Sequence, residues 1–169
     1  MIRFLVMDVD GTLTDGKIYM GANGELCKAF NVKDGCGIKE LLPIANDGVG
    51  IIPVIITARE SSILKNRCEE LDISCLYMNI RDKKNLLDII LKEQSFLQKD
   101  NFDYSNVAYI GDDLRDIPCM RAVKDGNGLV GAPKDACRDI ITMADFVSEY
   151  RGGEGAVRDF IEWIINNVC

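Results

Sequence analysis

Short, largely apolar runs alternate along this chain with stretches of helical period. The runs at 4–9, 52–57, 74–77, 107–110, 128–130 and 145–147 predict strands. Helical periodicity predicts helices over about 36–46, 60–71, 82–97, 114–123, 134–142 and 155–167. In 60–71, for example, Ile63, Leu64, Cys68 and Leu71 fall on one stripe. Strands that alternate with helices fold as a parallel sheet covered on both faces. The expected class is therefore α/β, a three-layer Rossmann-like sheet. One segment breaks the alternation. "GKIYMGANGELCKAF" has two short strand-like pieces around Asn23-Gly24, a strong turn signal, so a β-hairpin flap is expected just after the first strand. Pro43 and Pro118 fall inside predicted helices and are expected to kink or split them.

Length bounds this pattern to one domain, 1–169, since 169 residues are too few for two comfortable cores. No run approaches the roughly 20 apolar residues of a membrane span, and no secretory leader is apparent, so a cytoplasmic protein is expected. The net charge of −7 argues against a nucleic-acid partner, which would need a basic face. Seven cysteines, at 27, 36, 68, 75, 119, 137 and 169, form no CxxC pair and read as reduced thiols. The absence of histidine excludes Ser–His–Asp and Cys–His catalysis and the usual zinc sites. Acid–base chemistry must then come from carboxylates, lysine, tyrosine or water.

In a parallel α/β sheet the ligand site lies at the carboxyl ends of the strands. Four polar elements fall there: "DVDGT" after the first run, "TAR" after the second, "RDK" after the third and "GDDLRD" after the fourth. Each alone has a plainer reading, as an Asp–Gly turn, a helix N-cap or a solvated lysine. Together they describe phosphoryl transfer. Asp8 and Asp112 face each other if their strands are neighbours, and a hard divalent cation, Mg²⁺, relieves their repulsion. An ionised Asp8 can attack phosphorus. Asp10 points to the other face of a regular strand unless the turn at Gly11 swings it back. It can then give a proton to a leaving alcohol and take one from water. Thr57 can donate to a phosphoryl oxygen, and Lys83 can stabilise the charge that builds there.

This ordered set resembles the haloacid dehalogenase superfamily of phosphotransferases over nearly the whole chain. The resemblance implies a HAD-like sheet in which Asp8 is the nucleophile and Asp10 the general acid–base, with its carbonyl on the metal. It implies phosphate binding by Thr57 and Lys83, with Lys84 the weaker choice, and Mg²⁺ ligation by Asp8, Asp10 and Asp112, supported by Asp113 and Asp116. More narrowly, "DVDGTLTDG", "KAFNVKDG", "AYIGDDLRD" and "RGGEGAVRDF" look like the 3-deoxy-D-manno-octulosonate 8-phosphate phosphatases. Related patterns occur in nonulosonate 9-phosphate phosphatases and in the phosphatase-like domain of sialic acid cytidylyltransferases, which leaves open a nine-carbon substrate or a scaffold role beside a cytidylyltransferase. Arg59 is typical of the octulosonate enzymes, whereas Ala58 departs from the commoner glycine. Larger relatives carry a cap domain between these motifs. Here 47 positions separate Asp10 from Thr57 and 26 separate Thr57 from Lys83, which leaves no room for one. The resemblance then implies a homotetramer in which a neighbour's hairpin and tail cover each site. Arg151 and Arg158 become candidates to meet a substrate carboxylate.

Overall fold

The computed structural model describes residues 1–168. Six parallel strands form the central sheet: β1 (Phe4–Met7), β4 (Ile52–Ile56), β5 (Cys75–Tyr77), β6 (Val107–Ile110), β7 (Leu129–Ala132) and β8 (Phe146–Val147). Their order is β5-β4-β1-β6-β7-β8, so the chain winds one way from β1 and then the other. Every position of β1 and β6 is buried, because both faces of a central parallel strand are covered. Side chains alternate between two cores. Leu5 and Met7 of β1 join one cluster with α6 (Ala156–Asn167), α2 (Ser62–Glu70), Ile38 and Leu42. Phe4 and Val6 join the other with α3 (Lys83–Gln98), α4 (Ile117–Asp125) and α5 (Arg138–Met143). The result is the three-layer α/β sheet expected, with Phe4↔Val107 and Phe4↔Ile52 setting the central register.

A separate antiparallel pair, β2 (Tyr19–Gly21) and β3 (Gly24–Cys27), is the flap. Its two-residue loop is Ala22-Asn23, and Gly24 follows at φ +112°.

Three helix expectations need correction. The predicted helix over 36–46 begins earlier, as α1 (Val32–Cys36), because Asn31 accepts the Lys33 N–H at 2.8 Å and caps it. It then widens into a π turn (Gly37–Leu41) and ends as a 3-10 turn (Leu42–Ile44), where Pro43 cannot donate to the ladder. Pro118 does not kink its helix. It sits in the first turn of α4, where a missing N–H costs nothing, and the helix starts at Ile117 rather than 114. The last 134–142 prediction shortens to α5, since residues 134–136 form a turn closed by Ala136 N–H to Pro133 O at 3.1 Å. Cys169 lies outside the described residues.

Candidate active site

Because β1 and β6 are neighbours, their carboxyl ends open one crevice at the point where the winding reverses. Asp8 follows β1 directly, and its N–H continues the ladder to Ile110 O at 3.1 Å. Asp112 follows β6. Its carbonyl accepts Cys137 N–H at 2.8 Å, and its carboxylate accepts the Thr12 hydroxyl at 3.2 Å. The loop between β1 and the flap turns sharply: Thr12 and Thr14 both donate to Val9 O. Gly11 lies at the closest approach, with φ +100°, and a Cβ there would lie 2.0 Å from Asp112 Oδ2. Only glycine lets the turn sit against that carboxylate.

Lys83 reaches into the crevice from the first turn of α3. Its ammonium donates to Asp8 Oδ1 at 2.6 Å and to Asp116 Oδ1 at 2.7 Å. Asp82 caps α3 through Asn85 N–H, which fixes where Lys83 starts. Lys84, one residue on, points away and pairs with Asp88 at 2.9 Å. Asp116 is fully buried. It takes the Lys83 ammonium, the Tyr109 hydroxyl at 2.8 Å and the N–H groups of Asp112 and Asp113. Thr57 is buried at the end of β4, and its oxygen accepts only the Arg59 N–H, at 3.3 Å. Among the described residues its hydroxyl hydrogen has no acceptor and is available to a ligand.

Asp8, Thr57, Lys83 and Asp116 line a cavity of about 460 Å³ together with Asp10 and Arg59, so the turn at Gly11 does swing Asp10 back toward Asp8. The Asp113 side chain is exposed at the cavity edge and acts on Asp116 through its amide. Sequence reasoning overlooked Arg81, Arg115 and Asn79, which line the same mouth. It also overlooked Thr12 and Tyr109. The threonine of "DGT" was a visible signal; Tyr109, inside an apolar run, was not.

Arg151 and Arg158 are not brought to this cavity within one chain. Arg158 Nε donates to Glu162 at 2.6 Å, beside a separate depression lined by Lys33, Tyr150 and Glu154. The glycines of the tail do approach the site. Gly153 N–H donates to Thr12 O at 3.1 Å, and a Cβ on Gly152 would lie 1.9 Å from Gly11 O. The tail thus clamps the turn at Gly11–Asp15 that follows Asp8 and Asp10 in its own chain.

The acidic residues suit a hard cation. One carboxylate oxygen each from Asp8, Asp112 and Asp116 lie within 4.8 Å of one another. Burial, then repulsion by Asp116, raises Asp8 to about 6 against the pull of Lys83. Burial, then Asp8 and Asp116, raises Asp112 to about 8. Carboxylates so crowded and so short of positive charge are the donor set that a divalent ion with oxygen preference takes.

No family model matches the chain. Curated relatives do: the 3-deoxy-D-manno-octulosonate 8-phosphate phosphatase KdsC of Escherichia coli (strain K12) is 42% identical over 164 residues, 97% of this chain and 79% of that protein. Among solved structures, the phosphatase of the same name from Moraxella catarrhalis, in complex with magnesium, phosphate and KDO, has a TM-score of 0.84 at 34% identity. The match covers 98% of this chain and 86% of that one. The cobalt-bound enzyme of Haemophilus influenzae gives 0.84 at 33% identity, over 98% and 88% of the two chains.

Proposed function

The chain belongs to the 3-deoxy-D-manno-octulosonate 8-phosphate phosphatases of the haloacid dehalogenase superfamily, and on that premise we propose that it hydrolyses the 8-phosphate of this eight-carbon sugar acid with Mg²⁺ as cofactor. The observation that carries the reading is the placement of Asp8: a buried carboxylate at the switch point, held by Lys83 at 2.6 Å, with Asp112 beside it. Asp8 and Asp112, with the Asp10 carbonyl, would hold the ion, which when bound supplies fixed positive charge to the carboxylates and the phosphoryl oxygens. Thr57 and Lys83 bind and orient the phosphoryl group. An Asp8 oxygen attacks phosphorus, the P–O bond to the sugar breaks, and the leaving alkoxide takes a proton from the Asp10 carboxyl group. Water then attacks the aspartyl-phosphate, Asp10 takes its proton, and the bond to Asp8 breaks to release phosphate. Asp116 keeps Lys83 in place through the pair at 2.7 Å, and Asp113 holds Asp116 by its amide.

Arg59 lines the cavity on the side of the flap and is the residue we assign to the sugar acid carboxylate. The flap exposes Ile18, Met20 and Leu26 by 51%, 59% and 67%. Such a surface supports burial against other copies of the chain, as a homotetramer. In that assembly Arg151 and Arg158 would serve a neighbour's substrate. No helix among the described residues is long and apolar enough to cross a membrane. The six described cysteines are free thiols, which supports the cytoplasm as the compartment.

The test is Mg²⁺-dependent phosphate release from the octulosonate 8-phosphate and a nonulosonate 9-phosphate side by side, with Asp8→Asn as blank. Preference for the eight-carbon ester is expected. Preference for the nine-carbon ester would move the substrate, and silence on both would overturn the reading.

A further inference from the structure

The flap, which exposes several apolar side chains, also sends a buried cation to the acid–base residue. Lys28 follows β3, and its side chain is only 3% exposed. Its ammonium donates to Asp10 Oδ1 and lies 3.1 Å from Glu25 Oε1. Glu25 is in turn fixed from the sheet side. Its Oε2 accepts the hydroxyl of Ser61, and Ser61 caps α2 by accepting Leu64 N–H at 3.2 Å. A continuous chain of contacts therefore runs from the start of α2 through Glu25 and Lys28 to Asp10. The other Asp10 oxygen, Oδ2, has a different setting. Asp10 itself lines the cavity, and Arg59 Nε stands 3.8 Å from this oxygen, beyond hydrogen-bond reach.

From this we infer that Lys28 is the positioning residue for Asp10. It pins Oδ1 and turns Oδ2 into the cavity, so that Oδ2 carries the proton to the leaving oxygen and takes the proton from water. The flap thus sets the acid–base geometry of its own subunit, and loosening the flap misaligns Asp10. A carboxyl group with a free torsion would spend much of its time turned away, and a proton donor acts only when held within hydrogen-bond reach. Lys28 contacts Asp10 and Glu25, so it acts on the reaction through Asp10.

This inference rests on the assignment of Asp10 above, and the experiment separates the two. A sugar phosphate has an alkoxide leaving group that needs a proton; p-nitrophenyl phosphate has a phenolate that does not. Lys28→Met is expected to lower kcat on the octulosonate ester about 100-fold, the low end of what a general acid contributes, with KM changed less than about threefold. The same variant should keep the first-turnover burst of p-nitrophenolate at near the wild-type rate while its steady state slows, because the second step still needs Asp10. Lys28→Arg should recover most of the loss. Glu25→Gln, which keeps the ammonium but cuts its tether, should show the same split more weakly if Lys28→Met does not fold. Equal slowing of burst and sugar ester, or a kcat for Lys28→Met within about twofold of wild type, overturns the inference. If Asp10→Asn turns over the sugar ester as fast as wild type, it is the assignment of Asp10 that fails.

Discussion

Asp34 gives the sharpest test of the electrostatics outside the active site. It is only 1% exposed, between the segment after the flap and the start of α6. One oxygen accepts the Arg158 N–H at 2.8 Å; the other has no hydrogen-bond partner among the described residues. Burial, against the pull of the Arg158 and Val157 amides, raises its pKa from 3.8 to about 6. The folded state therefore holds this proton between about pH 4 and 6 while the unfolded chain has released it. Stability falls as pH rises through that window and stays lower above it. The shift is roughly two units, so the ionised carboxylate costs about 3 kcal/mol above pH 7. Asp34→Asn keeps the carbonyl that accepts Arg158 N–H and removes the charge. The variant should match wild type near pH 4 and be more stable at pH 8 by up to about 3 kcal/mol, a rise in Tm on the order of 6–12 °C for a chain of this size. Urea unfolding at pH 4, 6 and 8, followed by circular dichroism, measures it. A stability difference that stays constant across the three pH values would refute the reasoning, because only a displaced titration makes it vary.

Chelation by EDTA should abolish turnover and added Mg²⁺ restore it, as read by phosphate release; activity that survives exhaustive chelation would dismiss the acidic cluster as a metal site. Mg²⁺ at about 100 times its Kd should also raise stability by about 2.7 kcal/mol in calorimetry, and Asp8→Asn should lose most of that rise. Gly152→Ala would place a Cβ 1.9 Å from Gly11 O and 2.9 Å from Thr14 O, both backbone atoms. Overpacking of this kind should cost about 1–3 kcal/mol in urea unfolding and lower kcat by moving the Asp8–Asp10 loop; unchanged kinetics would show that the clamp has no bearing on the site.

The sheet was legible because its central strands are buried on both faces and so read as unbroken apolar runs. The meeting of Asp8, Thr57, Lys83 and Asp112 was legible too, since each sits just after a strand and parallel strands share one carboxyl edge. What the sequence hid depends on the chain folding back upon itself. Lys28 and Asp10 are 18 positions apart, and only the path of the flap joins them. Tyr109 sits in an apolar run that gives no hint of its bond to Asp116. The tail motif was visible as a pattern, but its partner was not: the need for glycine at 152 comes from Gly11, across the molecule. The helix expected over 36–46 had the right period but lacked its start, because the cap lies at Asn31, outside the periodic stretch.

Of the three carboxylates at the switch point, Asp8 and Asp116 share one ammonium and Asp112 has no direct contact with it. Asp116 is satisfied entirely within the protein, by Lys83, Tyr109 and two amides, so neither of its oxygens is spare. Among the described residues, Asp112 has the Thr12 hydroxyl from outside the trio, and Asp8 has its share of Lys83 and the Val9 amide. Burial, then repulsion within the trio, raises their pKa values to about 6 and about 8, and so few partners do not offset it. A proton is one remedy, but it would silence Asp8 as a nucleophile. A divalent cation is the other, and it leaves Asp8 ionised. Asp116 therefore spends its charge on holding Lys83 toward the phosphoryl site, while Asp8 and Asp112 remain under-neutralised and available to a cation. Replacing Asp116 by asparagine would free the ammonium to sit on Asp8 alone, which would blunt the nucleophile and weaken cation binding together.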